Sequence, residues 1–128
     1  MELLQTTRPN PNGQYHLDYA QSLTHRFAMY IPSINANGLV PKHTRDVIIK
    51  QCREKVIQLC GGATEWNTWG SWMSTNNVIS EDVRIIAAFY ADPTGTILDE
   101  LLQIAKWLKS RLKQERIAIE MNGVLYLI

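Results

Sequence analysis

Hydrophobic and polar positions alternate with period two along His25-Arg26-Phe27-Ala28-Met29-Tyr30-Ile31. Phe27, Met29 and Ile31 point one way and Arg26, Ala28 and Tyr30 the other, as successive side chains do on a strand with one face in the core. Pro32 closes the strand, and Ile34 to Val40, carrying Asn35, Asn37 and Gly38, reads as a loop. The period then lengthens. Ile48, Ile49, Cys52, Val56 and Cys60 recur at steps of three and four, while Arg45, Lys50, Arg53 and Glu54 fill the other side. That is an amphipathic helix, with Thr44 expected as its cap and Gly61-Gly62 as its left-handed stop.

Ala63 to Met73 is dense in tryptophan and threonine, a composition that favours a strand. Alternation puts Trp66 and Trp72 on one face and Trp69 on the other, and Gly70 marks a bulge or a close approach. Ser74 to Asn77 reads as a turn. Val83, Ile85, Ala87, Phe89 and Ala91 then form one face of a second strand, with Arg84, Ile86, Ala88 and Tyr90 behind, so the two runs predict an antiparallel hairpin. Asp92-Pro93-Thr94-Gly95 ends it. Thr96 followed by Asp99 resembles a capping box, and Ile97, Leu101, Ile104, Leu108 and Leu112 line one face of a second helix. Ile117, Ile119 and Met121 alternate as a last strand, and Asn122-Gly123 predicts a tight type I′ turn into a return strand over Val124 to Ile128.

The predicted order is strand, helix, strand, strand, helix, strand, plus a terminal return. Right-handed crossovers then put both helices on one face of one antiparallel sheet, an α+β domain of ferredoxin-like βαββαβ plan. The other face is left uncovered, a natural place for a dimer partner, a ligand or the N-terminal arm. Residues 24–128 make the single domain. Residues 1–23 form an arm or irregular lead-in, dense in turn formers at Arg8-Pro9-Asn10-Pro11-Asn12-Gly13, with Leu17 to Leu23 fitting either a short helix or an edge strand.

Composition narrows the function classes. A chain of 128 residues with 45% apolar and 20% charged residues suits one globular domain. A net charge of +1 gives no electrostatic preference for nucleic acid or an anionic membrane. No apolar stretch approaches the roughly 20 residues of a membrane helix, and Met1 to Gln5 lack the basic and apolar blocks of a signal peptide. A cytoplasmic location is expected. Cys52 and Cys60, eight apart on one helix, sit about 12 Å from each other, beyond the roughly 7 Å a disulfide spans. Neither has a histidine at ligand spacing, so no metal site and no cofactor are predicted.

Several short motifs taken together resemble a known set. Tyr30-Ile31-Pro32 ends a strand, Gly61-Gly62-Ala63-Thr64 ends a helix, Gly70-Ser71-Trp72 follows, and Glu81 opens the next strand. The chain here is similar to a loosely related group of small uncharacterised bacterial proteins with a Gly-Gly-x-Thr step, a Gly-x-Trp and a following Glu. The resemblance covers about residues 27–121. It implies the ferredoxin-like fold and a shared site around the hairpin, and it carries over no catalytic residue.

Four groups of residues are candidates for function. Trp66, Trp69 and Trp72, with Tyr90, suit a ligand platform or an interface, and packing is the simpler use of them. Glu65, Glu81 and Asp82 gather at one end of the hairpin if its strands pair across the Thr75–Asn77 turn, which would suit acid–base work or a divalent cation. Lys106, Lys109 and Lys113, with Arg111 and Arg116 and with Lys50, Arg53 and Lys55 on the other helix, suit phosphates. The interspersed Asp46, Glu54, Asp99 and Glu100 favour a solvated face instead. His16, His25 and His43 stand in no ligand or triad motif. The leading expectation is a non-enzymatic module that self-associates, as a homodimer, through its sheet face. A carboxylate-based enzyme at the hairpin is the alternative, and weak nucleic-acid binding through the basic helices the third.

Overall fold

A computed structural model describes residues 8–128; the portion of the expected arm at residues 1–7 lies outside it. Residues 8–24 form turns and irregular chain with neither helix nor strand, so neither alternative for Leu17 to Leu23 holds. An Asx turn in which the Asn10 side chain accepts from the Asn12 and Gln14 amides organises its start.

The elements then run β1 (His25–Ile31), β2 (Ile34–Asn35), β3 (Gly38–Leu39), α1 (Lys42–Cys60), β4 (Thr64–Ser74), β5 (Asn77–Tyr90), α2 (Thr96–Arg111), β6 (Ala118–Met121) and β7 (Val124–Leu127). The main sheet is antiparallel with spatial order β4-β5-β1-β6-β7. Without the short β2–β3 pair and the β7 return, that is the strand order of a ferredoxin-like βαββαβ fold. Both helices lie on one face. Phe27, Met29, Ile31, Ile86, Ala88, Tyr90 and Ile119 from the sheet share one buried cluster with Ile48, Ile49, Cys52 and Val56 of α1 and Leu101, Ile104 and Leu108 of α2. The period-two run at β1 therefore supplies the core directly. Burial pushes the Cys52 thiol up to about 12, which makes it an inert core residue.

Local chemistry departs from expectation at four places. The stretch after Pro32 is a miniature β2–β3 hairpin rather than an open loop. The first helix begins at Lys42 behind Pro41, so Thr44 lies inside it and caps nothing. The second begins behind Gly95, and its free amides at Ile97 and Leu98 are taken by the Asp92 carboxylate, five and six residues upstream, rather than by Thr96. The tryptophan hairpin turns on Thr75-Asn76 alone, and β5 starts six residues before Val83. Asn122 and Gly123 both take positive φ, 50° and 86°, as a type I′ turn requires.

Candidate functional site

Register decides which hairpin residues meet. Glu65 stands opposite Ile86, Trp69 opposite Asp82 and Gly70 opposite Glu81. Side chains alternate, so Glu65, Asn67, Trp69 and Asp82 lie on the helix-bearing face, whereas Glu81, Gly70, Val83, Thr68, Ile85 and Trp66 lie on the uncovered one. The three carboxylates do not gather. Glu65 is five residue steps from the Glu81 position and on the other face, because a turn over Ser74 to Asn77, whether of four residues or of two, leaves Met73 opposite Val78 and so Glu65 opposite Ile86.

Glu65 is instead bound by two arginines. Arg53 of α1 reaches it through both its Nε and a terminal nitrogen, and Arg84 of β5 through Nη1 at 2.7 Å while its own Nε donates to Asn67. The Arg53 hydrogen bond, with help from Arg84, holds the Glu65 carboxyl below its ordinary value of 4.5. This is a clasp of helix to sheet. Since the folded pKa lies below the unfolded one, its stabilisation is complete above the ordinary carboxylate range and is lost as pH falls through the folded value. Glu65→Gln should therefore cost about 1 kcal/mol in urea unfolding at pH 7. The gap between variant and parent should close as pH falls through the depressed folded value; a gap independent of pH would remove the ion-pair explanation.

Glu81 has a different setting. Only 3% of it is exposed, one of two buried polar residues among those described. Its Oε1 accepts from the Ser33 amide at 2.6 Å and from the Ile34 amide at 3.3 Å, while Oε2 is enclosed and has no hydrogen-bond partner among the described residues. The chain that supplies those amides is itself tied down. The Ser33 hydroxyl donates to the Asp82 carbonyl, the Val40 amide to the Ser33 carbonyl, and Arg45 donates to the carbonyls of Ile31 and Pro32. Gln114 holds the Ile34 carbonyl from beyond α2. A carboxylate fixed through one oxygen and starved at the other has an unmet demand for a cation or a hydrogen-bond donor.

Its surroundings on the uncovered face are small or apolar. Gly70 stands opposite it, and a Cβ there would come within 2.9 Å of a Val83 methyl, so the glycine leaves room for the Val83 side chain. Ala28, Ile85 and Ala87 form a second apolar cluster on this face with Tyr30 and Val83 against it. Trp66 and Trp72 share it, both partly exposed, as the alternation predicts.

The other candidates separate. Tyr90 is in the core, its ring stacked on His25 at 5.3 Å, so it belongs to no exposed platform. Asp82 projects on the helix side away from Glu81. Lys106, Lys109 and Lys113 lie on α2 and its C-terminal turn, but Arg53 is engaged by Glu65 and Lys55 sits over the Trp107 ring at 3.7 Å. The basic residues of the two helices thus do not act as one free set. His16 contacts Asp18 at 2.9 Å in the irregular lead-in. Among the described residues no group of three or more His, Cys, Asp or Glu converges on a point. No helix among them is long and apolar enough to cross a membrane.

The hairpin also overshoots the sheet. β1 pairs with β5 only from Arg84 to Tyr90, so among the described residues the paired run from Trp69 to Asp82 has no third strand. Trp69, Met73 and Val78 share one face of this arm and are about two-thirds exposed. At the far edge, every residue of β7 (Val124, Leu125, Tyr126 and Leu127) is exposed and none is charged.

No family model and no curated protein matches the sequence. Among solved structures, the chain is similar to a phage SAM lyase in complex with S-methyl-5'-thioadenosine, at 14% identity and a TM-score of 0.65 over 88% of this chain and 95% of that one. It is also similar to a phage SAM lyase in the apo state, at 14% identity and 0.57 over 81% and 87%. A third likeness is to the periplasmic divalent cation tolerance protein CutA from Archaeoglobus fulgidus, at 10% identity and 0.49 over 78% and 83%. At these identities the likeness is one of fold: the chain is a small ferredoxin-like module.

Proposed function

We propose that the chain captures a small cationic nucleoside of the S-adenosylmethionine class at Glu81. The observation that carries the reading is the buried carboxylate with one oxygen held by two backbone amides and the other without a partner. A sulfonium is a compact, weakly hydrated cation, suited to a dry carboxylate among apolar side chains. The likeness in fold to a phage SAM lyase makes this the ligand class to try first. Because Oε2 is enclosed, entry requires the short β2–β3 hairpin beside it to shift. Charge pairing accounts for capture. Cleavage of the sulfonium C–S bond moves the bonding pair to sulfur while the ligand's own carboxylate oxygen bonds to the released carbon and closes a neutral lactone ring. The sulfonium charge is gone, so the neutral thioether product loses its attraction to Glu81 and leaves.

Calorimetric titration of the purified protein with S-adenosylmethionine, followed by chromatography for S-methyl-5'-thioadenosine, tests this. Saturable binding is expected, with release of the thioether if the site is a lyase. Absence of both binding and product would remove the reading.

A second reading, self-association, rests on the projecting arm. A two-stranded hairpin is marginal alone in water, and this one carries exposed apolar residues on both faces. A second copy of the chain, packed on Trp69, Met73 and Val78, gives the arm the cover it lacks, and a homodimer is the simplest closed assembly. Edge strand β7, without charge or proline, has none of the usual defences against pairing. With both cysteines unpaired, the assembly is read as cytoplasmic.

A further inference from the structure

The uncovered face carries a concavity at its other end from Glu81. Between the start of β4, the end of β5 and the irregular chain before β1 lies a cavity of about 700 Å³, within the range of small-ligand sites. Ala87 supplies a small floor. Trp66 rises on one side, Phe89 on the other, and Thr64, directly opposite Ala87, puts a hydroxyl at the edge. Gln21 and Leu23 close it from the N-terminal side. Gly61 and Gly62 form its end wall, and a Cβ at either would meet nothing within 4 Å, so the space beside them is open.

The charge of the lining selects the ligand. Among the described residues no carboxylate lines the cavity. The one cation among them, Arg26, lies 5.9 Å over the Phe89 ring and 3.2 Å from a Glu120 oxygen, so its charge is already balanced. Partly exposed aromatic faces above a floor of small side chains suit a flat ring, and the Thr64 hydroxyl and Gln21 carboxamide suit its polar edge. We propose that this trough binds a neutral planar heteroaromatic ring of the purine type. It is distinct from the Glu81 position: Ala87 is six residues farther along the same strand, about 20 Å away at the rise of a β-strand. It is also remote from the projecting arm, so assembly through the arm leaves it open.

Inosine, a neutral purine nucleoside, is the probe. In amide-resolved NMR titration of the full chain, saturable shifts are expected at Gly61 to Thr64 and Ala87 to Phe89. Trp66→Ala removes one wall and should weaken binding by about five-fold or more. Ala87→Leu fills the floor and should abolish it, whereas Glu81→Gln should leave it unchanged. Should Ala87→Leu fail to fold, Trp66→Ala still decides. Shifts that never saturate, or that centre on Glu81 and vanish in Glu81→Gln, would overturn the proposal. So would undiminished binding in Trp66→Ala. Because the probe carries no cation, loss of S-adenosylmethionine binding elsewhere would not bear on this outcome.

Discussion

Glu81→Gln should weaken S-adenosylmethionine binding on the order of 100-fold while changing fold stability by no more than about 1 kcal/mol. The two effects separate because the two carboxylate oxygens have separate duties. The glutamine carbonyl can still accept from the Ser33 and Ile34 amides, so the β2–β3 turn keeps its anchor. What is lost is the negative charge at the second oxygen, which has no hydrogen-bond partner among the described residues. Removing one partner of a dry charge pair typically costs a ligand about 2–5 kcal/mol, and 3 kcal/mol is about 100-fold. Against the fold, the exchange nearly balances: an unpaired buried charge disappears and an unpaired amide donor replaces it. Glu81→Leu makes the contrast. It strips both backbone amides of their acceptor and should lower stability by about 2 kcal/mol or more. Calorimetry with urea unfolding on the three proteins reads both effects. Equal ligand affinity in Glu81→Gln and parent would show that the carboxylate is there to pin the Ser33–Ile34 turn, not to meet a ligand.

That division of labour also explains what could be read from the residues. The core was legible because Phe27, Met29 and Ile31 follow a two-residue period and Ile48, Cys52 and Val56 a helical one, and each pattern admits only one buried face. The Asn122-Gly123 turn was legible because few residue pairs tolerate positive φ twice in succession. The separation of the carboxylates follows from the turn: a turn over Ser74 to Asn77 and one on Thr75-Asn76 alone both leave Met73 opposite Val78, which puts Glu65 opposite Ile86 and on the other face from Glu81. The partners of Glu81 were out of reach. Backbone amides at Ser33 and Ile34 have no sequence signature, and they meet Glu81 across a separation of nearly fifty residues. The only local hint was Pro32, which ends β1 and frees the following chain to turn over β5. The helix starts fail for a related reason: capping depends on where the preceding chain runs, so Asp92 from outside the helix displaces the nearer Thr96.

The paired substitution Met73→Glu with Val78→Lys should convert an assembled protein to monomer, measured by sedimentation, with an unfolding midpoint close to that of the monomeric parent. Met73 and Val78 are directly opposed across β4 and β5 and point to the same face as Trp69. Both are more than 60% exposed, so in an isolated chain they contribute little to folding. Opposite charges at facing positions restore a favourable cross-strand pair, worth roughly 0.2–1 kcal/mol, which protects the arm itself. The change therefore falls on whatever packs against that face. Charges buried without partners at an interface cost several kcal/mol, enough to dissociate a complex of micromolar affinity. Glu81 lies on the opposite face of the same hairpin, with its anchoring amides on the β1 side. Ligand affinity retained in the monomer would mean that one chain makes the whole Glu81 site. A fall in affinity together with dissociation would mean that the arm of a neighbouring copy helps to enclose it. If the variant and parent sediment alike as monomers, the exposed apolar arm is not a self-association surface.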